Sequence, residues 1–184
     1  MSNIKIVAIV GSLRGGSFNR VLAEAAASSL PAAAEMEFLD YADVPFMNQD
    51  IEFPAPDPVT RVRRAVEAAD AVWIFTPEYN YGLPAPLKNV LDWLSRPLAA
   101  GDYATPRPLT GKPVAIAGAG GRNAAAGARK AASDLLTYLG ARLVGGEGEG
   151  FVLPAAAWSE GVYEPGAEDL RRIGAQGEAL IAAL

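Results

Sequence analysis

Apolar and polar positions along this chain change period repeatedly, and each change predicts an element boundary. Residues 4–10 (IKIVAIV) are a short β-branched run stopped by Gly11, the pattern of a strand buried on both faces. From residue 17 to 29 the period lengthens to a helical one. Val21, Leu22, Ala25 and Ala26 share a face, and Ser17 stands where an N-cap belongs. A second strand is predicted over 35–40, a Pro/Asp/Asn-rich surface loop over 41–58, and a helix over 59–69. The third strand is AVWIFT at 71–76, ended by Pro77. A helix over 86–96 carries Pro86 in its first turn, where a missing N–H costs nothing.

A Pro/Gly-rich loop follows over 97–111, then a fourth strand at 113–117 and an Ala-rich helix at 124–139 closed by Gly140. A weaker fifth strand begins at 141–144 and is broken by the glycine-rich stretch 145–150. A terminal helix is predicted over 168–184. Strands alternating with helices imply a parallel sheet covered on both faces. With 184 residues, no internal repeat and no linker-like stretch, residues 1–184 read as a single α/β domain. Ligands of such sheets bind at the carboxyl ends of the strands, near the point where strand order reverses. The loops after strands one, three and four are therefore the candidates for function.

Composition narrows the chemistry sharply. The chain contains neither cysteine nor histidine, which excludes thiol nucleophiles, disulfides, iron–sulfur clusters, Cys/His zinc sites and Ser–His triads. Reactions must come from carboxylates, hydroxyls, Lys, backbone or a cofactor. A net charge of −5 argues against nucleic acid as the main partner. The N-terminal apolar run is too short for a signal segment, and no window reaches the roughly 18 apolar residues of a membrane span. A soluble, cytoplasmic protein is expected, which the missing cysteines fit.

The loop after the first strand reads GSLRGGSFNR, residues 11–20. Its glycines allow successive N–H groups to point inward, the following helix adds its positive end, and Ser12, Ser17 and Asn19 add short polar groups. Arg14 offers a fork of donors at the rim. This is chemistry for a phosphate. No lysine stands where a Walker A loop needs one, and the middle glycine of a dinucleotide fingerprint is missing. A hydroxyl-rich loop without lysine suits the singly esterified phosphate of FMN. An ordinary strand-to-helix turn in which Ser17 merely caps, and a ribose-binding role for Asp40 at the end of strand two, are the other readings.

After the third strand comes TPEYNYGLPAPLKN, residues 76–89. Pro77, Pro84 and Pro86 stiffen it, and Gly82 is expected to take an unusual backbone angle. Such a loop can aim backbone groups along the polar rim of a flat heterocycle, with Tyr79 and Tyr81 offering ring faces or edges. A proline turn with surface tyrosines is the alternative. Glu78 reads as a structural or hydrogen-bonding group rather than a general base, because a cofactor would carry the hydride chemistry. After the fourth strand, AGAGGRN at 117–123 is expected to be a loop whose small residues leave room for a flat ring.

GSLRGGSFNR, PEYNYGLPAPLKNVLDWLSRP and GKPVAIAGAGG, in this order and spacing, resemble the NAD(P)H-dependent FMN reductase family of quinone, azo-dye and chromate reductases. The resemblance runs through nearly the whole chain. It implies a flavodoxin-like three-layer sandwich with strand order 2-1-3-4-5. It implies FMN binding through Ser12, Leu13, Arg14, Gly15, Gly16, Ser17, Phe18 and Asn19 at the phosphate and Pro77, Glu78, Tyr79 and Asn80 at the ring edge. Gly118, Ala119 and Gly120 match the ring-contacting loop after strand four, where relatives often carry hydroxyls that are missing here. NADPH or NADH would be the co-substrate, and two electrons would pass by a ping-pong mechanism to a small-molecule acceptor: a quinone, a free flavin, an azo compound or an oxyanion such as chromate. No side chain would be catalytic and no metal is expected. Homodimers or homotetramers are expected, and the helix over 86–96, with Trp93 off its apolar face, is the candidate contact. A flavodoxin-type electron carrier and a nucleotide- or phosphosugar-binding regulator are the rival functions.

Overall fold

The computed structural model describes residues 3–184. Five parallel strands form one sheet in the order β2-β1-β3-β4-β5. They are β1 (Ile4–Val10), β2 (Ala34–Phe38), β3 (Ala71–Phe75), β4 (Pro113–Gly120) and β5 (Arg142–Val152). The helices are α1 (Phe18–Ser29), α2 (Asp57–Ala68), α3 (Ala85–Leu94), α4 (Ala126–Tyr138), the short α5 (Ala155–Glu160) and α6 (Ala167–Ala182).

The two-residue period of the strands divides the core into two layers. Ile6, Ala8, Trp73, Phe75, Ala115 and Ala117 pack against Leu22, Ala26, Ile173 and Leu180 of α1 and α6. Val7, Ile9, Val72, Ile74, Val114 and Ile116 pack against Val62, Val66, Leu87, Leu91 and Leu136 of α2, α3 and α4. Trp73 is fully buried, and its indole N–H donates to Gln176 Oε1 at 3.0 Å, while Gln176 Nε2 donates to the Ile116 carbonyl at 2.8 Å. One buried amide thus ties α6 to the middle of the sheet and satisfies two groups that burial would otherwise penalise.

Several boundaries differ from the sequence expectation. The fourth strand does not stop at residue 117. Gly118, Ala119 and Gly120 continue it, paired with Gly150, Phe151 and Val152 of β5. The fifth strand does not end at residue 144 either. Ala115 pairs with Val144 and Ala117 with Glu149, so residues 145–148 bulge out of the ladder before pairing resumes. The bulge depends on Gly145, Gly146 and Gly148, all with positive φ. At Gly148 an added Cβ would lie 1.8 Å from the Ile116 carbonyl oxygen.

Trp93, expected off the apolar face of its helix, is fully buried in the structure. The loop between β2 and α2 folds back over α3, and Trp93 Nε1 donates to the Pro45 carbonyl at 2.8 Å. Asn89 fastens the same loop, donating to Pro45 O at 2.9 Å and accepting from Met47 N at 2.8 Å. Trp93 is therefore accounted for within one chain and gives no ground for a subunit contact. Among the described residues no helix is long and apolar enough to cross a membrane.

Candidate functional site

The carboxyl ends of β1, β3, β4 and β5 open onto a cleft of about 470 Å³, within the range of small-molecule sites. Its first wall is the β1–α1 loop. The chain turns at Gly15 and Gly16, with Ser17 N donating to Arg14 O at 3.1 Å, and enters α1 at once. Ser17 is the N-cap, its hydroxyl accepting from Arg20 N at 3.3 Å, so the capping role foreseen for it is present at the cleft itself. By helix geometry the amides of Phe18 and Asn19 in the first turn have no acceptor within α1. They face the cleft end of the helix dipole, where an anion is stabilised. Arg14 stands at the rim with its guanidinium 4.8 Å from the Phe18 ring centre.

The second wall is the loop after β3. Tyr79 and Gly82 exchange two backbone hydrogen bonds of 3.1 Å, closing a two-residue hairpin on Asn80 and Tyr81. Both central residues have positive φ, 52° and 65°. That is a type I′ turn, and the unusual angles fall on Asn80 and Tyr81 rather than on Gly82 as expected. Asn tolerates this region, whereas a tyrosine there costs about 1 kcal/mol or more. Ala124 and Ala125, leading into α4, are also left-handed. These four are the non-glycine residues with positive φ among the described residues; none lines the cleft itself, but they follow lining residues Tyr79 and Asn123 in the chain.

Two side chains tie the walls together. Asn19, buried, donates to Ala119 O at 3.0 Å and accepts from Ala119 N at 2.9 Å. The β1–α1 loop is thereby fastened to β4, and the Ala119 backbone is spoken for. Glu78 reaches from the β3 loop to the start of α4, which has no side-chain cap of its own. It accepts from Ala128 N at 3.0 Å through Oε2 and from Asn123 Nδ2 through Oε1. A carboxylate at a helix N-terminus is favourable, and this geometry gives Glu78 a structural task. Tyr41 closes the far side of β1, its hydroxyl donating to Val10 O, and burial pushes its pKa well above the ordinary tyrosine value.

Of the residues expected at a ligand, Ser12, Arg14, Ser17, Phe18, Asn19, Pro77, Glu78, Tyr79, Ala119 and Gly120 line the cleft. Leu13 and Gly15 line a separate groove beside β2, on the other side of the same loop. Gly16 is exposed on the turn, and Asn80 is exposed at the hairpin tip. Gly118 lies beneath α4: a Cβ there would meet Ala125 and Arg129 at 3.0 Å, and one on Gly120 would meet Ala125 N at 3.0 Å. The small residues Gly118 and Gly120 of β4 make room for α4, and the loop after the strand begins at Gly121.

The structure adds a wall that sequence reasoning missed, made by Leu153, Ala157, Trp158 and Gly161. Phe18 meets Trp158 edge-on, with ring centres 5.9 Å apart at 85°. A lone tryptophan in an Ala-rich stretch was the available signal. Gly121 and Asn123 complete the lining.

The sheet order and a cleft at the β1, β3 and β4 ends define a flavodoxin-like protein. The profile of the NADPH-dependent FMN reductase family matches residues 4–149, and the chain belongs to that family. It is 40% identical over 118 residues to an NAD(P)H-dependent FMN reductase of Pseudomonas aeruginosa, covering 64% of this chain and 60% of the relative. It is 41% identical over 118 residues to a quinone reductase of Escherichia coli, covering 61% and 58%. The matches thus span about three-fifths of the length of these curated relatives. Among solved structures, the flavoenzyme NAD(P)H:(acceptor) oxidoreductase FerB of Paracoccus denitrificans superposes with a TM-score of 0.83 at 27% identity, over 97% of this chain and 96% of that one. An archaeal flavodoxin superposes at 0.62 with 14% identity, over 98% of this chain and 99% of that one, a likeness of fold alone.

Proposed function

We propose that this chain is a cytoplasmic FMN-dependent oxidoreductase that takes two electrons from NADPH or NADH and passes them to a small acceptor. The observation that carries the reading is the pairing, across one cleft, of an anion-favouring helix start with a rigid I′ hairpin. The amides of Phe18 and Asn19, with Ser12 and Arg14, would hold the phosphate; the backbone of Pro77–Tyr79 would meet the ring edge. When bound, FMN supplies hydride and electron-transfer chemistry that no side chain here possesses. The chain's own work is to bind, orient and shield. Donor and acceptor would use the same mouth in turn, a ping-pong scheme. For a quinone the balance is NAD(P)H, quinone and one proton giving NAD(P)⁺ and hydroquinone. Free flavins, azo compounds and oxyanions such as chromate are the other acceptors considered, and a homodimer or homotetramer is the proposed assembly.

The test is anaerobic. Protein loaded with FMN should bleach near 450 nm (roughly the flavin band) on adding NADPH or NADH and recover on adding a quinone. Parallel initial-rate lines should follow. Bound FMN that no nicotinamide nucleotide bleaches would instead make the chain an electron carrier. Failure to bind FMN at all would overturn the reading.

A further inference from the structure

Thr60, Arg63, Arg64 and Glu67 fall three and four positions apart on α2 and so share a face of the helix. They line a groove of about 470 Å³, within the range of small-molecule sites. Its other walls are apolar: Phe53 and Pro54 from the loop before α2, and Leu98 with two alanines from the chain after α3. The groove is separate from the cleft at the strand ends, whose lining residues are all different.

Arg63 is only 5% exposed, yet among the described residues it forms no salt bridge. Its one hydrogen bond runs from Nη2 to the Trp93 carbonyl at 3.2 Å, an oxygen that Arg96 N also approaches at 3.4 Å. Nε is buried with no acceptor. Glu52, whose charge acts on Arg63, is already committed: it is buried, and its two oxygens receive Arg96 at 2.7 and 3.0 Å. Glu67, four residues on from Arg63, is not paired with it, and Arg64 has no ion-pair partner among the described residues. Burial lowers the Arg63 pKa from the ordinary arginine value against the pull of Glu52, although the guanidinium stays charged. A buried charge with five donors and one hydrogen bond is costly until an anion meets it.

We propose that this groove is a second ligand site, taking a small monocarboxylate with an apolar body. The carboxylate lies among Arg63, Arg64 and the Thr60 hydroxyl, and the body lies along Phe53, Pro54 and Leu98. A guanidinium matches a carboxylate in a fork of two parallel hydrogen bonds. Two arginines and one glutamate leave the lining with a single positive charge, which suits a monoanion better than a phosphate dianion. The site stands independently of the reading of the cleft as an FMN site.

The experiment titrates the full-length protein with sodium hexanoate by calorimetry at low ionic strength, with FMN saturating so that the phosphate end of the cleft is filled. Arg63→Met should weaken hexanoate by about tenfold or more, as for the loss of hydrogen bonds to a charged group. Exchanging a buried ion for an apolar side chain of similar length is commonly neutral or stabilising, so this variant should fold. Arg64→Ala, at an exposed position, should weaken hexanoate by about two- to fivefold and gives a second variant that leaves the interior untouched. Acetate, which lacks most of the apolar body, should bind weaker than hexanoate by about tenfold or more. Inorganic phosphate should also bind more weakly. No heat from hexanoate, undiminished affinity in Arg63→Met or Arg64→Ala, or acetate or phosphate binding as tightly as hexanoate would overturn the proposal. Failure of NADPH and NADH to bleach the flavin, by contrast, defeats only the functional reading.

Discussion

Glu78 caps a helix to which it does not belong: its Oε2 accepts from Ala128 N at 3.0 Å, in the first turn of α4. The other oxygen accepts from Asn123 Nδ2, so the carboxylate is committed on both sides. An acid in a ligand cleft invites a general-base role, but one whose lone pairs face a helix start is placed to hold the wall. Glu78→Gln should therefore slow flavin bleaching by less than tenfold, about 1.4 kcal/mol of barrier. General acid–base work would cost 10²–10⁴-fold. Stopped-flow at roughly 450 nm on FMN-saturated protein decides it, and a loss beyond about a hundredfold with FMN still bound refutes the structural role. Melting should fall modestly, because Gln keeps one acceptor but forfeits the charge at the helix end, worth about 0.3–1 kcal/mol.

Asn19→Ala is expected to be costly in a different way. It strands both the carbonyl and the amide of Ala119, which are otherwise satisfied by one buried side chain. The loss should be about 2–4 kcal/mol, read as a lower urea midpoint with an unchanged slope. A shift under about 0.5 kcal/mol would mean that the pair contributes little to the fold.

Arg14→Ala tests the phosphate end. Arg14 sits at the rim, over Phe18, with no carboxylate paired to it among the described residues. Its removal should weaken FMN by about 1.5–3 kcal/mol and riboflavin, which lacks the phosphate, far less. Equal losses for the two ligands would remove Arg14 from the phosphate site.

The bulge in β5 offers a matched pair. Gly148→Ala combines a φ of 74° with a Cβ that would lie 1.8 Å from Ile116 O, whereas Gly146→Ala combines a φ of 60° with open space. The first should destabilise by about 3 kcal/mol or more through strain and backbone displacement, the second by about 1 kcal/mol from the left-handed angle alone. Comparable thermal shifts in the two variants would show that the close approach to Ile116 is easily relieved.

Much of the fold was legible because the β-branched runs at 4–10 and 71–75 and their Gly or Pro stops obey local rules. The parts that were not legible depend on distant partners. Ala117–Gly120 has no strand propensity of its own and becomes strand because residues 149–152 lie alongside it. Trp93 belongs to the interior only because Pro45 folds over it, and nothing in the sequence of α3 says so. At the site, the glycine–serine turn before α1 could be read directly, and the loop after β3 could be read as proline-stiffened, but not its hairpin on Asn80 and Tyr81. The partners of Asn19 and Glu78 could not, since each lies across the cleft. The wall bearing Trp158 was missed because α5 is too short to impose a period.

The two cross-cleft ties, Asn19 to Ala119 and Glu78 to α4, exist in the chain alone. A ligand entering between them meets loops whose ordering entropy was settled when the protein folded. Binding should then carry the heat-capacity change of the ligand and cleft surfaces that meet, without the larger one that accompanies coupled folding. The same rigidity makes the cleft poor at adapting to misfitting ligands.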